Sequence, residues 1–461
     1  MSDSQNVQQT SGLHGAWSSR ITFIFAATGS AVGLGNIWKF PYIAGENGGG
    51  AFVLVYLFCI LAVSIPVMIA EVLMGRRGRS SPIHTVTKLA AEAGASPFWR
   101  YLGWLGVIAG FLILSYYSVV AGWALAYLPK MMTGAFVGID GAGSNQIFDE
   151  LLASPGSLLL WHSLFMVMTM AVVIAGVTKG LGAAVRVLMP VLFVLLLVVL
   201  GFSIAEGDFA AAVTYLFSPN FSSLTLEGLL VALGHAFFTV SLGMGAIMAY
   251  GAYMPENMPV GRSVVTIALL DTAVALVAGL AIFPMVFASP AIDAASGPGL
   301  LFVSLPVAFG GMPGGLFFGS LFFALVGVAA WSSSISLIEP AVAWLVETGR
   351  ATRLQAGVLL GLLCWVLGVG ALLSFNVWAE HKLFGKFNWF DFSDFITANV
   401  MLPVGGVLIA IFVGYCMDKQ IVRNELDMEN DAVYNAWRFA LCVFAPVAVS
   451  AIFVIGLIDV F

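Results

Sequence analysis

From Val187 to Ala205 the chain reads Val-Leu-Met-Pro-Val-Leu-Phe-Val-Leu-Leu-Leu-Val-Val-Leu-Gly-Phe-Ser-Ile-Ala without one charged side chain. A helix on the surface of a water-soluble protein keeps a polar face, and this stretch has none. It is long enough to cross the hydrocarbon of a bilayer, which takes about 20 apolar residues. Comparable runs lie at about 17–45, 51–75, 99–128, 157–177, 180–205, 226–253, 260–288, 316–346, 354–375, 392–416 and 435–460, eleven in all. Only 9% of the chain is charged and 60% is hydrophobic, against about 25% and about 45–50% in soluble domains. The sequence therefore predicts an all-α integral membrane protein with eleven transmembrane helices and a lipid bilayer around them. The net charge of −6 is spread over loops and points to no nucleic-acid partner.

Basic residues set the expected orientation. With the N-terminus inside, the cytoplasmic loops collect Arg20, Arg76, Arg77, Arg79, Lys88, Arg262, Arg350 and Arg353 among others, and the outer side only Lys130, Lys382 and Lys386. Met1 to Gly15 lacks the basic start and cleavage site of a signal peptide, so the first span is expected to be retained. Two outer loops are long. The second holds Leu300 to Val307, which reads equally as a short helix capping an outer vestibule or as ordinary loop. Cys59, Cys364, Cys416 and Cys442 have no metal-like spacing and read as small buried hydrophobes.

Glycines interrupt two spans at mid-membrane: Gly29-Ser-Ala-Val-Gly-Leu-Gly-Asn36 in the first and Phe238-Thr-Val-Ser-Leu-Gly-Met-Gly245 in the sixth. A lone Gly-xxx-Gly signals only close packing. Paired interruptions at the heads of two five-helix units, spans one to five and six to ten, instead mark the broken helices of inverted-repeat transporters. A break frees carbonyls, which is tolerated only where they line a cavity or bind something. Asn36, Thr239 and Ser241 add side-chain oxygens, a set that suits a hard monovalent cation. A half-helix N-terminus suits a carboxylate.

Lys39, Glu71, Asp271, Glu339 and Asp394 are ionisable residues inside spans, where such groups are costly and mostly functional. Glu71 and Glu339 read as acceptors for frayed backbone. Asp271, about a turn and a half into the seventh span, reads as partner to a bound cation. Ser332, Ser333, Ser334 and Ser336 crowd the eighth span.

These residues resemble the neurotransmitter:sodium symporter family. The motif Gly29 to Tyr42, continuing through Glu46-Asn-Gly-Gly-Gly-Ala-Phe52, and the motif Phe237 to Ala246 carry the likeness, which extends from Trp17 to the eleventh span. It implies the 5+5 inverted repeat of the leucine-transporter fold with helices 1 and 6 broken. The whole of 1–461 would be one transporter domain, with repeats at about 17–205 and 226–416 and an extra helix at about 435–460. The implied activity is sodium-coupled import of a neutral, hydrophobic L-amino acid by a monomer or weak dimer.

The resemblance implies two Na+ sites. One would use the carbonyls of Gly29, Val32 and Ala329 with the hydroxyls of Ser332 and Ser333. The other would use Ala31, Asn36, Thr239, Asp271 and the substrate's carboxylate. The substrate pocket would be lined by Ser30, Ala31, Gly33, Gly35, Ile113, Tyr117, Phe238, Thr239, Ser241, Met244, Ser333 and Leu337. Glycine at position 33, where monoamine carriers have aspartate, leaves room for a substrate that brings its own carboxylate, with Tyr117 as its hydrogen-bond partner. Tyr117 over Phe238, with Lys39 facing Asp394, would form the outer gate. Trp17 and Glu347 would belong to the inner gate, with His14 where the family has arginine. Gly180 and Pro190 match the spacing of the helix that unwinds in the family. The family's chloride positions read Tyr56, His235, Thr239, Asp271 and Ala275, a set in which a carboxylate replaces the anion. Transport is therefore expected to be chloride-independent, with proton return through Asp271 and His235 as a further expectation.

Rival readings lack their signs. A channel would show repeated filter loops or charged rings. A membrane protease would show Gly-x-Ser-Gly or His-Glu-x-x-His, and neither is present. A β- or ω-amino acid remains the alternative substrate.

Overall fold

The computed structural model describes residues 17, 19–255, 257–289, 299–384, 386–426, 428 and 430–458. His14 lies outside them. The described chain is a bundle of helices that are apolar on nearly every side, so the solvent that suits them is lipid. Among the described residues, nine continuous helices are long enough to cross a bilayer: Gly50–Gly78, Pro97–Met132, Pro155–Ile174, Val177–Glu206, Val260–Phe287, Gly315–Glu347, Arg353–Leu373, Trp389–Cys416 and Asp431–Ile455. The first span is a pair, Arg20–Ala31 and Gly35–Glu46, bent by 51°. The sixth is also in two pieces, Leu226–Thr239 and Ala246–Ala252. With the two broken spans the count is the expected eleven, and the ends fall within a few residues of those read from the sequence.

Both breaks have local causes. Val32 turns to extended backbone and ends the first half-helix. Asn36 then folds back, its Oδ1 accepting the Gly33 N–H at 3.0 Å, as the N3 residue of a capping box reaches back to the N-cap amide. In the sixth span Ser241, Gly243 and Gly245 all adopt left-handed backbone, with φ of 57°, 76° and 71°. Glycine does so freely. Ser241 bears a cost of order 1 kcal/mol, offset by its hydroxyl, which donates to the Ser30 carbonyl at 3.0 Å. That bond ties one break to the other. Glu71, on the second span, accepts the Gly243 N–H at 3.1 Å and so satisfies an amide the break releases, as expected of it.

Glu339 does something else. It is fully buried, and its carboxylate holds Arg353 through both terminal guanidinium nitrogens, at 3.1 Å and 2.5 Å. It also accepts from Tyr253 Oη at 2.9 Å. The backbone-acceptor reading is thus corrected: a buried carboxylate is tolerable when paired and hydrogen-bonded, and its cation comes from the head of the next span. Asp271 lies about three turns into the seventh span, deeper than the turn and a half read from the sequence.

The segment from Leu300 is helical, Leu300–Ser304 and Leu305–Gly311. Phe302 packs against Phe148 at 5.5 Å and Trp123 at 5.7 Å between ring centroids. Both partners line an outer cavity, so this segment packs against the wall of that vestibule.

Candidate functional site

The two breaks meet the third and eighth spans around a small cavity of about 30 Å³. Its lining contains all twelve residues expected of the substrate pocket, together with Leu34. Ile113 and Tyr117 come from the third span, Ser333 and Leu337 from the eighth, and the rest from the breaks. Leu34 escaped the sequence reading because an apolar residue beside glycines looks like packing. Its position inside the break was the available signal, and its N–H donates to Tyr117 Oη at 3.3 Å.

Gly33 is held to glycine by contact. A Cβ there would lie 2.4 Å from Ser333 Oγ and 2.9 Å from Tyr117 Oη. The opposite wall of Ile113, Phe238, Met244 and Leu337 is apolar. Above the cavity lies a second one of about 390 Å³, and the two share Leu34, Gly35, Tyr117 and Phe238. Those four residues are the partition, and displacing the rings of Tyr117 and Phe238 would join the chambers.

Oxygen clusters flank the small cavity. On one side Ser333 Oγ reaches the carbonyls of Gly29 and Val32 at 3.3 Å and 2.9 Å. Ser332 Oγ bonds the Ala329 carbonyl at 3.0 Å, and a Cβ on Gly29 would be 3.6 Å from Ser332 Cβ. The carbonyls and hydroxyls read as one ion's ligands are thus brought together from the first and eighth spans. On the other side Asn36 Nδ2 donates to Asp271 Oδ1 at 2.8 Å and to Thr239 Oγ1 at 3.0 Å, and Thr239 Oγ1 donates to Asp271 Oδ2 at 3.0 Å. Asp271 is fully buried, and among the described residues it makes no ion pair with a basic group. A lone carboxylate in such a place calls for a cation.

Behind Asp271, Tyr56 Oη, Thr272 Oγ1 and both nitrogens of His235 have no hydrogen-bond partner among the described residues. His235, read as a further expectation for proton return, is buried, its ring stacked on Phe40 at 6.0 Å and tilted against Tyr56 at 5.5 Å between centroids.

The gates are only partly as expected. Lys39 and Asp394 both line the outer cavity, but no ion pair joins them. Lys39 Nζ sits 4.8 Å from the centre of the Phe238 ring, a cation–π contact that places it on the partition itself. On the inner side Trp17 Nε1 donates to the Tyr250 carbonyl at 3.0 Å and its ring packs edge-on against Tyr250 and Tyr253. Glu347 accepts the Ser81 N–H at 2.7 Å and lies 2.6 Å from His84 Nδ1. Ser81 and His84 were not singled out in the sequence, and Arg353 was read only as a cytoplasmic charge; Ser81 and His84 belong to the start of the short helix Pro82–Glu92 and Arg353 opens the ninth span, where apolar periodicity carries no signal. Gly180 falls in a π-helical turn, Val177–Leu181, at the start of the fifth span, and Pro190 lies inside that span.

Comparison with known proteins decides the family. The model of the sodium:neurotransmitter symporter family matches residues 14–138 and 145–460. The chain belongs to that family. It is similar to an uncharacterized sodium-dependent transporter, YhdH, of Bacillus subtilis, with 37% identity covering 95% of this chain and 96% of the relative. It is also similar to an uncharacterized sodium-dependent transporter of Haemophilus influenzae, with 30% identity over 96% of this chain and 98% of the relative. Among solved structures it is similar to MhsT in complex with L-phenylalanine, with a TM-score of 0.88 and 41% identity over 96% of this chain and 99% of that one. This symporter is a sodium-dependent, multi-span membrane transporter and not an enzyme. The arrangement around the two breaks is the leucine-transporter fold.

Proposed function

We propose that this symporter imports a neutral, hydrophobic L-α-amino acid together with two sodium ions, independently of chloride, with its N-terminus in the cytoplasm. The reading rests on one observation above all: Gly33, Tyr117 and the free backbone of the breaks form a polar end to a cavity whose other wall is apolar. The substrate's carboxylate lies at the polar end, near the Leu34 N–H and Tyr117 Oη. Its side chain lies against Ile113, Phe238, Met244 and Leu337. L-phenylalanine bound to the similar MhsT supports a substrate of this kind.

One sodium ion is held by Gly29, Val32, Ala329, Ser332 and Ser333. The other is held by Ala31, Asn36, Thr239 and Asp271, with the substrate carboxylate as a further ligand. Direct contact between that ion and the substrate couples the two, because each completes the other's site. Asp271 supplies a fixed negative charge beside it, which answers part of the positive charge of two ions and leaves chloride without a role.

A competition series tests the substrate class. Each additional buried CH2 is worth about 0.8 kcal/mol, so leucine should displace a bound radiolabelled substrate well ahead of alanine. The matching decarboxylated amines should fail. Amines that compete as well as their parent acids would sink the proposal, and preference for β- or ω-amino acids would replace it.

A further inference from the structure

Away from the substrate pathway a cavity of about 1390 Å³ opens between the second, seventh and eleventh spans. It is larger than the roughly 300–1,000 Å³ of an ordinary small-molecule pocket. Its inner wall is apolar: Leu61, Ile65 and Ile69 of the second span, Val265 of the seventh, and Trp437 and Ala440 of the eleventh. Three basic side chains also line it: Arg20 at the start of the first span, Arg262 at the start of the seventh, and Arg76 near the end of the second.

The three arginines differ. Arg76 is committed to Glu425, at 3.0 Å and 2.7 Å, and to the Met258 carbonyl at 2.8 Å. Arg20 and Arg262 are exposed and make no ion pair among the described residues. Two uncommitted cations thus line an apolar groove. The groove's depth fits one leaflet. Arg76 and Leu61 lie on one continuous helix, and their separation along it is about 22 Å at 1.5 Å per residue. Half a bilayer with its headgroups is about 20–22 Å.

We propose that this groove is a binding site for one anionic phospholipid. The phosphate sits between Arg20 and Arg262, and an acyl chain lies along Leu61, Ile65, Ile69 and Val265. A zwitterionic lipid fits the apolar wall equally but leaves the two cations unanswered. Free phosphate answers the cations but leaves the wall uncovered.

The full-length transporter in phosphatidylcholine nanodiscs doped with phosphatidylglycerol tests this, with retained lipid counted by native mass spectrometry. Wild type should retain one phosphatidylglycerol in preference to phosphatidylcholine, and inorganic phosphate should not displace it. R20Q/R262Q should weaken that preference by roughly five-fold per arginine, while R20K/R262K should keep most of it. Val265→Trp sets an indole across the path proposed for the acyl chain with both arginines intact, and should reduce retention of either lipid. It tests the site even if the double variant folds poorly. A well-folded R20Q/R262Q protein that keeps the wild-type preference overturns the proposal. So does displacement by inorganic phosphate, or a folded Val265→Trp protein that retains both lipids unchanged.

Discussion

Replacing Asp271 with asparagine keeps an oxygen at the ion site and removes its charge. The carboxylate is fully buried, with Asn36 Nδ2 and Thr239 Oγ1 as its donors among the described residues, at 2.8 Å and 3.0 Å. An ion bound among those oxygens lies within about 4 Å of the charge. At an effective dielectric constant of about 20 the attraction is about 4 kcal/mol. Relaxation and entering water reduce that figure, so the sodium concentration for half-maximal binding should rise at least ten-fold and at most about a thousand-fold. Scintillation-proximity binding of a labelled amino acid, titrated with sodium at constant ionic strength, reads the shift. D271N combined with Ala275→Ser rebuilds the chloride positions and should make binding respond to chloride, whereas wild type should not. A sodium dependence of D271N within two-fold of wild type, with no chloride response in the double variant, would refute the charge-substitution argument.

Other consequences follow from single contacts. Gly33→Ala would place a Cβ 2.4 Å from Ser333 Oγ. Overpacking of this kind costs about 1–3 kcal/mol, so substrate and sodium affinity should fall together by roughly five- to 150-fold, while Gly234→Ala, with open space around it, should change neither. Lys39 and Asp394 share the outer cavity without touching, so exchanging their charges should rescue transport only if they meet on closure. A double-mutant cycle on uptake with no coupling would remove them as a gate. Glu339→Gln leaves the Arg353 guanidinium without its anion. Breaking a buried pair costs about 3–5 kcal/mol, and the partial exposure of Arg353 lowers that to about 2 kcal/mol, so the thermal midpoint should drop by several degrees and an unchanged midpoint would argue against a paired role.

The spans were legible because lipid imposes a length and a composition on each one, and their ends fell where the charged residues begin. The breaks were legible because Gly33, Gly243 and Gly245 stand among hydroxyls and an amide where a continuous helix would have neither. What was not legible lies in side-chain reach. Nothing in the spacing of Glu339 says that Arg353 folds back onto it, because the connection between the two spans, not periodicity, sets that meeting. That the flexible stem of Lys39 lays its ammonium over the Phe238 ring is likewise a matter of reach and not of spacing. Leu34 carries its role in its backbone N–H, which no residue type announces.

The central claim is that a sodium gradient drives an amino acid through the two breaks. Proteoliposomes with potassium inside and sodium outside, offered labelled leucine, test it most directly. The account predicts accumulation above the equilibrium level, its loss when potassium or choline replaces external sodium, and its loss in folded Asn36→Ala and Ser333→Ala proteins. Full uptake in potassium or choline, or wild-type accumulation in either variant, would contradict it.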